Sequence, residues 1–390
     1  MHRIFLIFLI FLNLHACSQQ AKNIAPIKCG AENVNDYLSI IKGKRIGIVA
    51  NQSSRVGKQH LVDTLLKLDI NIIRVFSPEH GFRGNMEDGA LIGNETDKTT
   101  GIPVFSLYGK DKEMPAEQLK DIDIVILDLQ DVGVRFYTFI STMHYVLKTC
   151  AVMQKKLIIL DRPNPNGNYV DGPVLSPEFS SFIGLHPIPV VYGLTMGELA
   201  KMINGEGWLG DNSVCDLEVI PCQNYTHDTN YDLPVPPSPN LPNSQAVRLY
   251  PSLAFFEGTS ISVGRGTEFP FQVFGHPSLT FGDFWFTPES RPGYSVKPPQ
   301  LGEKCRGIDL RDFKPADNKW DSLNIEWLIK SYQSFEPKNA FFIPYFDKIA
   351  GTDRLRKDIE KGLIADEIRQ NWNADLIKYK KIREKYLIYR

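Results

Sequence analysis

Short, wholly apolar runs alternate with stretches of helical periodicity through the first half of this chain, and that alternation limits its fold more than any other feature. The runs "KRIGIVAN" (44–51), "NIIRVF" (71–76), "PVFSLY" (103–108), "IDIVILDL" (122–129), "KLIILD" (156–161), "IPVVYG" (188–193) and "CDLEVIPC" (215–222) read as strands. Between them, "QHLVDTLLKL" (59–68), "YTFISTMHYVLKTCAVMQ" (137–154) and "TMGELAKMINGEGW" (195–208) carry apolar residues at three and four spacing and read as helices. Strands without a polar face are buried on both sides, which requires helices above and below a parallel sheet. The expected fold is α/β, a Rossmann-like doubly wound parallel sheet spanning 28–225. The Pro- and Asn-rich stretch 226–245 has no periodicity and reads as a connector or ordered loop. A smaller C-terminal α+β domain, 246–390, is expected beyond it, with mixed loop and strand first and helices over its charged tail.

The N-terminus reads as a targeting segment. A short basic start is followed by the apolar run "IFLIFLIFLNL" and then "LHAC", ending at Cys17. That run is short for a transmembrane helix, and its flanks match an export signal. The Leu-x-Ala-Cys ending resembles a bacterial lipoprotein signal over 1–17, with Cys17 lipidated. The expectation is therefore an exported envelope protein, on the periplasmic face or outer membrane, that touches membrane only through a lipid anchor. Five further cysteines are an odd number, and Cys215 and Cys222 are the nearest pair that an oxidising compartment permits to bridge. No CxxC pair or zinc-ligand spacing is present, so neither a catalytic cysteine nor a structural metal is expected. With 44 basic and 45 acidic residues, the chain offers no electrostatic footprint for nucleic acid.

Ligands of open parallel sheets bind beyond the carboxyl ends of the strands. Here those ends carry Asn51, Ser53 and Ser54; then Glu79, His80 and Arg83; then Asp128, Gln130, Asp131, Arg135 and Tyr137; then Asp161, Arg162 and Asn164; and finally Tyr192. Each has a plain structural alternative. Asn and Ser after strands cap helices, Asp128 suits a buried hydrogen-bonded partner, and Asp161 beside Arg162 suits an ion pair. Glu79 resists that alternative best, since Pro78 and Gly81 stiffen its turn and a cap needs neither His80 nor Arg83. No dinucleotide glycine fingerprint, P-loop, HExxH or GxSxG elbow occurs in the right context. Carboxylates with guanidiniums and tyrosines fit acid/base chemistry on a polar substrate, such as a sugar bearing a carboxylate.

The ordered motifs "SPEHGFRG", "DLQDVGVRFYTF", "DRPNPNG", "HPIPVVYGLTMGELA", "PPSPNLP" and "SVGRGTEFPF" resemble the exo-β-N-acetylmuramidases of glycoside hydrolase family 171, from about residue 32 to the terminal "YLIY". The resemblance implies a Rossmann-like domain, a smaller C-terminal domain and a site in the cleft between them. It also implies release of N-acetylmuramic acid from the non-reducing ends of peptidoglycan fragments, in cell-wall turnover or salvage, with no cofactor. On that basis Glu79 is the expected general acid, with His80 to orient it. Asp131 is ranked first as second carboxylate, ahead of Asp128, and Glu268 of the C-terminal domain is the outsider. Arg83, Arg135, Arg162 and Arg265 are candidates to hold the lactyl carboxylate. Asn51, Tyr137, Asn164, Tyr192 and Asn240 complete the expected substrate contacts. A muropeptide- or sugar-binding lipoprotein without catalysis is the competing reading.

Overall fold

The computed structural model describes residues 25–79, 81–83, 95–108 and 112–390. The signal segment, Cys17 and His80 lie outside the described residues.

The central sheet is built from β1 (Arg45–Ala50), β2 (Asn71–Ser77), β3 (Glu95–Thr96), β4 (Pro103–Ser106), β5 (Ile124–Asp128), β6 (Lys156–Leu160) and β7 (Leu217–Ile220). Its order is β3-β4-β2-β1-β5-β6-β7, parallel throughout except for the edge pair β3–β4. Alternate residues of each strand feed opposite layers. Ile46, Ile48, Ile124, Ile126, Ile158 and Leu160 meet Tyr37 and Ile41 of α1 (Val34–Ile41) and Leu61 and Leu65 of α2 (Leu61–Lys67). Val125, Leu127, Leu157 and Ile159 face α3 (Phe139–Val152) and α4 (Met196–Gly205). This is the doubly wound, Rossmann-like arrangement the apolar runs require.

One expected strand is absent from the sheet. Residues 188–193 are fully buried, but Pro187 and Pro189 have no N–H to give a ladder, and Val191 makes only isolated bridges, to Val134 and Asp171. The run is apolar because it is enclosed, not because it is a strand.

The layer over α3 and α4 continues into the C-terminal half without a break. There, β8 (Val273–His276), β9 (Phe284–Phe286) and β10 (Cys305–Asp309) form an antiparallel sheet in the order β8-β10-β9. It is surrounded by α5 (Ser244–Leu253), α6 (Glu326–Ser334), α7 (Phe346–Ala350), α8 (Arg354–Glu360) and α9 (Ala365–Arg383). The tail returns to the parallel sheet's domain: Trp372 donates to Asp171, Tyr379 to the Tyr192 carbonyl, and Tyr389 to Asp161. The Pro-rich stretch before α5 is an ordered wall, with the Pro236 and Pro237 carbonyls accepting from Gln52 and the Pro237 carbonyl also from Tyr137. The described cysteines, Cys215 and Cys222 included, are buried free thiols.

Candidate active site

A cleft of about 530 Å³ opens where the ends of β2 and β4 and the segment after β5 face the C-terminal half. Its lining includes Glu79, Tyr108, Thr138, Phe182, Asn240, Glu257, Arg265, Tyr345 and Lys348.

β2 delivers Glu79 through Pro78, and the turn is pinned from behind. Arg83 points away from the cleft and bridges Asp97 at 2.8 Å and Asp63 at 3.3 Å, its guanidinium 4.6 Å from the buried Phe82 ring. The arginine expected to hold substrate therefore holds the turn that aims Glu79. On the cleft side, the Thr138 hydroxyl donates to Glu79 Oε2 at 3.0 Å. Thr138 is the N-cap of α3, yet its side chain makes no capping bond. The Glu79 carboxyl group thus meets the N-cap residue of α3 through this hydroxyl.

The second carboxylate comes from the other half of the chain. Glu257 lies on a single 3₁₀ turn, Ala254–Gly258, directly after α5. Arg265 Nε donates to Glu257 Oε1 at 2.7 Å, and the same guanidinium lies 5.1 Å from the Phe271 ring. Gly258 makes this placement possible, because a Cβ there would meet the Phe346 Cα of α7 at 2.4 Å. Two short elements therefore touch backbone to backbone, one presenting Glu257 and the other Tyr345 and Lys348. Partial burial, then the charges of Glu257 and Glu79, push the Tyr345 phenol up to about 12. Both carboxylates thus act on one hydroxyl, which stays protonated at neutral pH and can donate.

Of the residues singled out from sequence, Glu79, Tyr137, Asn240 and Arg265 line this cleft. The others that can be described do not. Asp131 is buried beneath it, accepting from the Tyr192 hydroxyl and from the Gly133 N–H at 2.6 Å, and burial pushes its carboxyl up to about 6. Tyr192 is accordingly committed to Asp131. Arg135 is fully buried, and its guanidinium donates to the carbonyls of Pro173, Ile188, Ile349 and Ala350 at 2.7–2.9 Å. Burial pushes Arg135 down to about 9, and its work is to lock α7 onto the parallel domain. Glu268 is largely solvated and pairs loosely with Arg291 at 3.8 Å.

Asp128 and Arg162 form a buried bidentate pair at 2.6 and 2.9 Å. Burial works against the charge on Arg162, and the Asp128 carboxylate overcomes it, so the proton is held above the usual range. Asn51 accepts from the Ser53 backbone and hydroxyl, and Asn164 donates to the Leu194 carbonyl at 2.8 Å. Sequence reasoning missed Glu257. The available signal was a single acid inside the apolar stretch "SLAFFEG", eight positions before the arginine it pairs with.

Two family models cover the chain: "Exo-beta-N-acetylmuramidase NamZ, N-terminal" over residues 46–245 and "Exo-beta-N-acetylmuramidase NamZ, C-terminal" over 248–389. The chain is 37% identical over 374 residues to the peptidoglycan beta-N-acetylmuramidase NamZ of Bacillus subtilis (strain 168), covering 91% of this chain and 89% of that protein. A crystal structure of a DUF1343 family protein from Bacteroides fragilis NCTC 9343 superposes with a TM-score of 0.88 at 46% identity, over 94% of this chain and 99% of that one. A second DUF1343 family protein from the same organism superposes at 0.79 with 28% identity, over 93% and 99%. With both halves matched and this much of its sequence shared, the chain belongs to the exo-β-N-acetylmuramidase NamZ family.

Proposed function

We propose that this protein is an exo-acting glycoside hydrolase that releases N-acetylmuramic acid from the non-reducing ends of peptidoglycan fragments. The observation that carries the proposal is the convergence of Glu79 and Glu257, one from each half of the chain, on one cleft and one phenol. Glycoside cleavage needs an acid for the leaving oxygen and a second carboxylate as nucleophile, base or support for a neighbouring acetamido group. Glu79, set on a stiff turn and hydrogen-bonded by Thr138, is the acid. Glu257, fixed by Arg265, is the second carboxylate and takes the place that sequence reasoning gave to Asp131. The Tyr345 phenol lines the same cleft and keeps its proton at neutral pH. Phe136, Tyr137 and Phe182 supply aromatic walls, and the cleft volume lies in the range of small-ligand sites. A capture protein without catalysis needs no such pair, and the B. subtilis relative is an enzyme by name.

The N-terminal reading belongs to the same proposal. Residues 1–17 act as an export signal and Cys17 as the lipidated terminus, placing the cleft in the cell envelope where wall fragments arise. The apolar run and the "LHAC" ending support it.

The test incubates the full chain, in detergent, with a MurNAc–GlcNAc disaccharide and follows released N-acetylmuramic acid. Glu79→Gln and Glu257→Gln should each lose turnover by about 10²- to 10⁴-fold while retaining saccharide binding. Near-normal release by Glu79→Gln removes it as the acid. Wild-type binding without release leaves a capture protein.

A further inference from the structure

We infer that Lys348 receives the O-lactyl carboxylate of the substrate and so sets the preference for muramyl over uncharged amino sugars. The inference rests on the reading of this cleft as a muramidase site. Among the described residues, the cleft wall carries two carboxylates, Glu79 and Glu257, and three cations, Lys112, Arg265 and Lys348. Among these groups, a neutral sugar leaves one positive charge over; a sugar with a single carboxylate balances it. Two of the cations are already engaged: Arg265 with Glu257 at 2.7 Å, and Lys112 with the Phe182 ring at 4.1 Å. The exposed Lys348 ammonium makes no hydrogen bond or ion pair among the described residues. Among the described cations of the wall, it is the one with neither an ion pair nor a ring beneath it.

Its position is fixed even though its side chain is free. Arg135 binds the Ile349 and Ala350 carbonyls, the two residues that follow Lys348, and Gly258 lets α7 pack against the turn that carries Glu257. The backbone that carries Lys348 is thereby held at a set place relative to the turn that carries Glu257. A charged group on a substituent of the reacting ring needs that registration, because orientation of the ring decides whether it reacts. Arg135, a candidate for the lactyl group itself, acts one step removed as a positioning residue for the helix that bears Lys348.

Calorimetry on the full chain in detergent, with N-acetylmuramic acid and N-acetylglucosamine as separate ligands, tests this. Wild type should prefer the anionic sugar by about ten- to a hundredfold, the range of a charge-assisted hydrogen bond. Lys348→Met should erase that preference while leaving N-acetylglucosamine affinity unchanged, and Lys348→Arg should restore most of it. A preference that survives in Lys348→Met overturns the inference and leaves the hydrolase reading standing. A wild type that binds neither sugar also overturns the inference, and release from the MurNAc–GlcNAc disaccharide then decides the hydrolase reading separately. Kinetics on the lactyl methyl ester give a second readout: wild type and Lys348→Met should cleave the ester alike and differ only on the free acid.

Discussion

Two patches along the carboxyl rim of one sheet contain nearly the same residue types and do opposite things. Between β1 and β5, where the strand order reverses and Rossmann-like folds usually bind ligands, the crevice is filled. Asp128 grips Arg162, Arg162 reaches the Arg55 carbonyl at 3.0 Å, and the Ser54 hydroxyl donates to the Asp128 carbonyl at 2.5 Å. A few strands away, beyond β2 and β4, Glu79, Glu257 and Arg265 line open space. In the first patch charge is matched within the chain and water is excluded. In the second, among the described residues, two carboxylates share a cavity with three cations. Polar residues at strand ends therefore mark the rim, and cavity and charge imbalance mark the site.

Removing one acid from each patch should have opposite effects. Asp128→Ala leaves the Arg162 charge buried and unpaired, a loss of about 3–5 kcal/mol of folding stability. Denaturant titration should show it, with turnover per folded molecule little changed. Glu257→Gln should do the reverse, removing turnover at unchanged stability. If Asp128→Ala folds normally and loses turnover, the filled crevice is part of the active site and the contrast collapses.

Asp131 sharpens the contrast through pH. Folded, its carboxyl keeps a proton to about pH 6, against 3.8 ordinarily, because burial penalises the anion. Protonation then favours the folded state, so this contribution is complete below about pH 4 and is lost as pH rises through 6. Asp131→Asn cannot ionise, and its amide oxygen can still accept from Tyr192 and Gly133 where Oδ2 does now. The variant should match wild type near pH 4 and exceed it at pH 7 by on the order of 2–3 kcal/mol, with turnover intact. Urea melts at both pH values decide it; loss of turnover would return Asp131 to the site.

Which parts were legible follows from how far each inference had to reach. The parallel sheet was readable because each strand's burial is written locally, in unbroken apolar runs. "IPVVYG" misled because enclosure between Val134 and Asp171 selects the same residues as a strand does. Glu79 stood out because Pro78 and Gly81 mark a rigid turn, and Tyr137, Asn240 and Arg265 fell within quoted motifs. Asp131, Arg135 and Arg162 were aimed at substrate because a strand end fixes the rim but not whether a side chain turns into the cavity or beneath it. Glu257 could not be paired with Glu79 from sequence: their approach depends on the whole C-terminal half docking through α7.

The smallest effect concerns a residue of the cleft that carries no charge. Thr138 stands where an N-cap normally bonds its own helix, but its hydroxyl instead meets Glu79 Oε2 at 3.0 Å. Thr138→Val keeps the shape and removes that donor, so the cap loses nothing and Glu79 loses one orienting bond. A neutral hydrogen bond contributes about 0.5–1.5 kcal/mol, which corresponds to roughly a two- to thirteenfold fall in rate. The fall should appear in kcat, with N-acetylmuramic acid affinity and melting temperature unchanged, and Thr138→Ser should recover it. A merely structural Thr138 would move the melting temperature and spare kcat. That result would make the turn around Pro78, not the helix end, the element that aims the acid.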